Sequence, residues 1–143
     1  MATIKGTTQT YIDTGGESQF AGGIWRANLK TVLDFYTLAG TEASGTVIKL
    51  FGALPTGANL INMTLWVSAA QTALTASVGD ADSSTRYVSA STGLQTAGNT
   101  VVPLQGRVVG TSTNDNQILV TTGGATATAA TLFAHLTYTE PAD

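Results

Sequence analysis

Apolar and polar side chains alternate along much of this chain, and a period of two is the pattern of β-strands that bury one face. The strongest alternation lies in LINMTLWVSA (60–69), which predicts that Ile61, Met63 and Leu65 share one face. The segment ATLFAHLTYT (130–139) alternates in the same way. Further short strands are predicted at 24–29, 32–38, 46–51, 75–78, 86–90, 100–104, 107–109 and 117–121.

The segments between these strands consist largely of turn-forming residues such as Gly, Asn, Asp and Ser, and Pro55 and Gly57 mark one of the turns. No long helical stripe is present, and a single helical turn is an alternative only at 71–76. Many short strands with regular turn signals are typical of a sandwich or barrel. We therefore predict an all-β fold, a single-domain antiparallel β-sandwich of jelly-roll type (20–143) preceded by an extended N-terminal arm (1–19).

The composition predicts a surface that is polar but nearly uncharged. Only 10% of the residues are charged, against about a quarter in a typical soluble domain. Threonine is abundant, and its branched Cβ favours strands while its hydroxyl keeps a face polar. Because the cores of protein interfaces are depleted of charged residues, such a surface is suited to close packing of subunits.

The charge pattern excludes several partners. The net charge is −3 and the six basic residues are scattered, so the chain lacks the basic patch that nucleic-acid binding needs. No segment approaches the roughly 20 apolar residues that span a bilayer, and the first residues do not read as a signal peptide. The absence of cysteine excludes disulfides and thiolate metal sites. We predict a protein made in a cytoplasm that binds neither nucleic acid nor membrane.

Catalytic chemistry has little support in the sequence. The single histidine, His135, lies in a strand-like alternation rather than on a loop beside a nucleophile. No G-x-S-x-G segment is present to hold a nucleophilic serine, and the glycines at 15–23 lack the lysine of a phosphate-binding loop. We predict that the protein is not an enzyme, that it has no catalytic residue and no cofactor, and that His135 is a packing residue.

One segment invites a metal-binding interpretation. In GDADSS (79–84), Asp80 and Asp82 have a D-x-D-x-S spacing that offers oxygen ligands to calcium. The sixth position of an EF-hand loop requires glycine, but here it is Thr85, and the terminal acid is missing. We therefore predict a turn shaped by these aspartates without metal, with calcium binding as the alternative.

The aromatic residues leave a second function open. Most of them lie in strand-like runs and are expected in the core, although one of the two tryptophans, Trp25 or Trp66, is a candidate for exposure. Aromatic side chains exposed on one face form a platform on which sugars stack. A carbohydrate-binding, lectin-like module is therefore the alternative to a structural role. The aromatic residues expected mostly in the core are Trp25, Phe35, Tyr36, Phe51, Trp66 and Phe133.

Four short segments resemble the decoration, or cement, proteins of tailed-phage heads: GGIW (22–25), LPTGA (54–58), VGD (78–80) and RYV (86–88). The resemblance implies a jelly-roll virion protein, often a homotrimer, that binds the major capsid protein on the outer surface of the head and stabilises the expanded shell. Another head or neck component of a phage is the alternative within this class. In the otherwise polar arm, the apolar side chains that we predict to contact the oligomer or the capsid are Ile4, Tyr11 and Ile12.

Overall fold

Two antiparallel four-stranded sheets pack against each other in the computed structural model, which describes residues 29–111 and 114–140. We call them the long sheet and the short sheet. The long sheet consists, in spatial order, of β1 (Leu29–Leu38), β8 (Ala130–Thr139), β3 (Asn59–Val67) and β6 (Thr100–Val108). The short sheet consists of β2 (Val47–Leu50), β7 (Ile118–Gly124), β4 (Leu74–Gly79) and β5 (Val88–Ser91). The predicted antiparallel β-sandwich is confirmed.

The strand order shows how the chain is folded. Four pairs of strands are neighbours: β1 with β8, β2 with β7, β3 with β6, and β4 with β5. The first half of the chain therefore pairs with the second half as a long antiparallel ribbon, and this ribbon folds over to give the two sheets. The folded ribbon is joined within each sheet by the β3–β8 and β4–β7 pairs. This order is the pattern expected for an eight-stranded jelly roll, in which two Greek keys interlock.

The core lies between the sheets and is built from alternate side chains of each strand. On β8, Leu132, Ala134 and Leu136 are buried while the residues between them are half-buried on the opposite face. Burial of a leucine side chain contributes about 1.5–3 kcal/mol relative to exposure, so a core of this size is the main source of stability. The largest fully buried apolar side chains are Leu50, Leu60, Met63, Leu65, Leu74, Val78, Val102, Leu104, Ile118, Leu132 and Leu136.

The structure corrects the predicted strands at three places. Ile61 does not share the buried face of Met63, because the register shifts between Leu60 and Asn62 and leaves Ile61 exposed at a β-bulge. The segments predicted as separate strands at 100–104 and 107–109 belong mostly to one strand, β6. The helical alternative at 71–76 is wrong, since β4 begins at Leu74, and the sequence missed a 3₁₀ helix at Gly93–Gln95.

Part of the prediction lies outside the described residues. The N-terminal arm (1–19) and all but the last residue of the predicted strand 24–29 fall there. The division into an arm and a sandwich domain therefore stays a prediction. Within the part of the chain that the structure describes, no helix is long and apolar enough to cross a membrane.

Glu42 stabilises the loop between β1 and β2. Its side chain is buried, one carboxylate oxygen accepts the backbone N–H of Ala39 at 2.9 Å, and the other accepts those of Gly40 and Thr41 at 3.1 and 3.2 Å. These hydrogen bonds, that from Ala39 most of all, hold the pKa of Glu42 below its ordinary value of 4.5. Folding therefore favours the ionised form of this carboxyl group.

We expect Glu42→Gln to lower the free energy of unfolding by about 1–3 kcal/mol near neutral pH, because three N–H groups lose a charged acceptor. A group whose pKa is lower in the folded chain stabilises the fold above its unfolded pKa and loses this contribution as the pH falls through the folded pKa. Urea denaturation at several pH values should show the gap between wild type and variant closing below about pH 4.5. A gap that stays constant down to about pH 3 would contradict this role of Glu42.

Candidate interaction surface

The outward face of the long sheet carries large apolar side chains in contact with solvent. On the edge strand β1, Leu33 and Phe35 are 60% and 62% exposed, and on the opposite edge strand β6, Val101 is 65% exposed. Single exposed apolar residues are ordinary, but a contiguous group marks an interaction site. The other exposed apolar residues of this sheet are Leu29, Ile61, Tyr36 and Val108, of which Tyr36 lies on the opposite side of β1 by alternation.

An aromatic row crosses three of the strands of this face. Phe35 on β1 is paired with Phe133 on β8, and Phe133 is paired with Trp66 on β3. The rings of Trp66 and Phe133 are stacked, with centroids 5.3 Å apart and planes inclined by 13°. Cross-strand aromatic pairs stabilise a sheet and fix its register. These rings lie on the outward side, where Phe35 is exposed and Phe133 and Trp66 are partly exposed to solvent.

His135 lies in the next row of the same face. Its cross-strand neighbours are Leu33 on one side and Thr64 on the other, and Thr64 is in turn paired with Val101. Of these neighbours, only Thr64 carries a polar side chain, and the row contains no Asp, Glu, Ser or Cys. The geometry places His135 as a half-buried packing residue of the surface.

Formal charge is absent from the paired positions of this outward face. The remaining rows contain threonine, asparagine, proline, leucine and valine but no Asp, Glu, Lys or Arg. Such a face can be covered by another protein without desolvating a full charge, which would be costly. The remaining paired positions are Leu29, Thr31, Thr37, Asn59, Asn62, Val108, Pro103, Thr131, Thr137 and Thr139.

The outward face of the short sheet differs in chemistry. Its edge strand β2 carries Lys49 beside the exposed Val47, and the next strands show small polar side chains such as Thr121 and Ser77. No aromatic residue lies in these rows of the described sheet. The two faces of the sandwich are therefore unequal, and the long sheet provides the surface suited to a protein partner.

The aromatic prediction is wrong for most of the described residues. Phe35 and Tyr36 are exposed, and Phe133 is only partly buried, as is Trp66, one of the two candidates for exposure. Phe51 is partly buried but packs against the core, as predicted. The alternation within β1 is apolar on both faces, so periodicity alone does not show which face is inside. The pairing of Phe35 with Phe133 and Trp66 depends on strands distant in sequence, and nothing in the local sequence indicates it.

Asp80 forms a separate polar cluster at the end of β4. One carboxylate oxygen accepts the backbone N–H groups of Asp82 and Ser83 at 3.1 and 2.9 Å. The other accepts the Arg86 Nε–H and lies 3.7 Å from Nη2 of Arg107. Asp80 is only 1% exposed, and two guanidinium groups balance its charge. The cluster ties the β4–β5 turn to the end of β6.

This geometry favours the turn interpretation of Asp80 and Asp82 over the calcium alternative. Backbone N–H groups and arginines already use the Asp80 oxygens, and Asp82 accepts the Asn114 side-chain amide at 2.9 Å. Among the described residues, no group of three His, Cys, Asp or Glu side chains is arranged to hold a metal ion. The predicted contact residues Ile4, Tyr11 and Ile12 lie outside the described residues.

Comparison with solved structures identifies proteins of similar fold in phage capsids. A chain of the "Cyanophage Pam1 capsid asymmetric unit" is 26% identical, with a TM-score of 0.65 over 84% of this chain and 90% of that one. A chain from the "Capsid of Ralstonia phage GP4" is 20% identical, with a TM-score of 0.57 over 81% and 86%. A third, from the "Acidic stable capsid structure of Helicobacter pylori bacteriophage KHP30", is 15% identical, with a TM-score of 0.58 over 85% and 91%.

No family model and no curated protein matches the chain. The likenesses to the Ralstonia and Helicobacter phage chains establish a shared fold. The likeness to the Pam1 chain also extends to sequence and covers nearly all of both chains. Together with a sheet face that exposes apolar side chains and carries no Asp, Glu, Lys or Arg in its paired rows, it supports a structural role in a phage virion.

Proposed function

We propose that this chain is a non-enzymatic structural protein of a phage head, and that it decorates and stabilises the capsid by binding coat subunits as a homotrimer on the outer surface. The observation that carries the proposal is the likeness in fold and sequence to a chain of the Pam1 capsid asymmetric unit. Both chains align over most of their length, so the likeness concerns most of the chain rather than one motif.

The physical chemistry of the surface is consistent with this role. A low content of charged residues and an uncharged sheet face suit a protein that functions in permanent contact with other subunits. A ligand that binds only the expanded shell stabilises that state by its binding free energy. An oligomer that contacts several coat subunits at once converts weak contacts into durable attachment through effective concentration.

Carbohydrate binding is the second candidate function, because the row Phe35, Phe133 and Trp66 is aromatic and lies on one solvent-facing side. Ligand sites combine such apolar surface with a few convergent polar groups. A glycan screen with Trp66 fluorescence as the readout separates the two functions. A saturable, sugar-dependent change would favour the lectin-like module over the capsid role.

The test of the capsid role is binding to expanded heads that lack this protein. We expect the full chain to co-sediment with such heads and to raise the temperature at which they release DNA. We expect a variant without residues 1–12 to lose head binding at least about tenfold or to lose its trimeric mass, since Ile4, Tyr11 and Ile12 would supply apolar contacts that a polar segment otherwise lacks.

The two parts of this test have separate outcomes. A full chain that does not bind heads would overturn the capsid role. A deletion variant that retains both the trimeric mass and head binding would show that the arm contributes to neither, while leaving the sandwich itself as the binding unit. A variant that replaces Thr7 and Thr8 by serine is the control for changes in the arm that keep its apolar residues.

A further inference from the structure

We infer that the outward face of the long sheet is the surface through which copies of this chain associate with one another. The face centres on the row Phe35, Phe133 and Trp66 and on the neighbouring row that contains Leu33 and His135. The inference deepens the proposed function, because it assigns the oligomer contact to particular residues and leaves other surfaces to the coat subunits.

The size of the face suits a stable contact between copies. It is four strands wide and up to ten residues long, so a strand spacing of about 4.8 Å and a rise of about 3.3 Å per residue give roughly 600 Å² for the flat sheet. Projecting side chains such as Phe35 raise the accessible area above this value. A standard interface buries about 800 Å² on each partner, so most of the face would be needed.

The charge of the face favours a second copy as the occupant. The whole chain has a net charge of −3, so two copies repel each other weakly as they approach. The rows of this face contain no Asp, Glu, Lys or Arg, so two copies can meet here without repulsion. Around a threefold axis, contacts between copies join two different patches, so different parts of the face would contact the two neighbours.

The order of assembly steps in the proposed function also favours a second copy of the chain as the occupant of this face. A protein that joins the head after expansion first exists free, and apolar side chains grouped on a surface in water favour association with other apolar surfaces. Another copy of the chain is present from the moment of synthesis, whereas the mature coat lattice is not. Association through this face would therefore keep the apolar rows covered before the capsid is reached.

The test is a pair of exposed edge-strand variants examined without heads. Phe35→Lys, combined with Leu33→Lys, adds charge to the inferred contact, and Val47→Lys is the matched control on the edge strand of the other sheet, where Val47 is 56% exposed. All three side chains are exposed, so the fold should survive, as circular dichroism and thermal melting would verify. We expect the double variant to weaken association at least about 100-fold.

Light scattering on a sizing column across a wide concentration range provides the readout. For the wild type and for Val47→Lys we expect the mass of an oligomer, which is at least twice the 14.6 kDa of one chain. For the double variant we expect the mass of the monomer. A monomeric wild type, or a double variant with the wild-type mass, would overturn the inference. Equal dissociation of both variants would also overturn it, because the contact would then not be specific to the long sheet.

Tryptophan fluorescence gives an independent measurement. In a Trp25→Phe background, Trp66 is the remaining tryptophan and lies in the aromatic row. Dilution through the association range should shift its emission to longer wavelength and increase acrylamide quenching. A Trp66 signal that is independent of concentration would contradict the inference. Since no head is present, these results are separate from head binding. A monomeric wild type would overturn both the inference and the proposed homotrimer, whereas a double variant that keeps the wild-type mass would overturn the inference alone.

Discussion

Replacing Gly79 by alanine should destabilise the protein by about 4 kcal/mol, which is at the upper end of single-residue effects. Gly79 is the last residue of β4, and a Cβ atom there would overlap the carbonyl oxygen of Ser83 and the backbone of Ser84. The overlapping atoms belong to the main chain, so no side-chain rotation relieves the clash. The β4–β5 turn would have to move away from the end of its strand.

Urea denaturation followed by circular dichroism measures the effect of Gly79→Ala. Gly98→Ala is the matched control, because the nearest atom to its added Cβ is Oγ1 of Thr96 at 3.5 Å, an ordinary contact. We expect the control to change stability by no more than about 0.5 kcal/mol. Equal stabilities of the two variants would show that the turn relaxes freely and would contradict a tight constraint at Gly79.

The sequence predicts the strands best where one face is apolar and the other polar. Strand β8 occupies the predicted segment 130–139, because Leu132, Ala134 and Leu136 alternate with polar or aromatic residues. Strand β3 is also predicted, but the bulge at Ile61 is not, since an inserted residue changes the facing pattern without any local signal. Periodicity therefore locates the strands, whereas a bulge such as that at Ile61 depends on how the strands pair in the folded chain.

The candidate surface is less predictable than the fold. The sequence contains Phe35, Trp66 and Phe133 in strands, but their assembly into one row follows from the pairing of β1 with β8 and of β8 with β3. The prediction that aromatic side chains are mostly internal applies the general tendency of such residues to be buried. An exposed row departs from that tendency, and departures of this kind concentrate at functional sites.

The Asp80 cluster shows a similar division between local and distant information. Its turn hydrogen bonds to Asp82 and Ser83 follow from the local sequence, as aspartate often bonds to the backbone two or three residues ahead. The approach of Arg107 from the end of β6 does not, because it depends on how the two sheets pack. Asp80, whose oxygens could be ligands for a metal, therefore forms a charge cluster because Arg107, which is distant in sequence, lies beside it.

The two sheets of the sandwich present outward faces of different chemistry. Packing of the two sheets buries one side of each and leaves two outward faces, of which that of the long sheet carries the aromatic row and that of the short sheet carries Lys49. The cluster around Asp80 lies at one end of the sandwich, where it links the β4–β5 turn of the short sheet to Arg107 on β6 of the long sheet.

This link makes Asp80→Asn the second large effect that we expect. Asparagine keeps an oxygen for the N–H groups of Asp82 and Ser83, but its amide would direct N–H groups toward the guanidinium groups of Arg86 and Arg107. Among the residues that the structure describes, the variant removes the one carboxylate that lies within ion-pair distance of both arginines. Breaking a buried charge pair by changing one partner costs about 3–5 kcal/mol.

We expect Asp80→Asn to lower the free energy of unfolding by about 3 kcal/mol, with the arginines' access to solvent reducing the effect from the upper end of that range. Asp82→Asn is the control, because Asp82 is exposed and its change should cost less than about 0.5 kcal/mol. Thermal melting with chelator and with added calcium completes the experiment. An unchanged melting temperature of the wild type fits a cluster held by arginines, whereas a large decrease with chelator would restore the calcium interpretation and explain the loss in Asp80→Asn by a missing ligand.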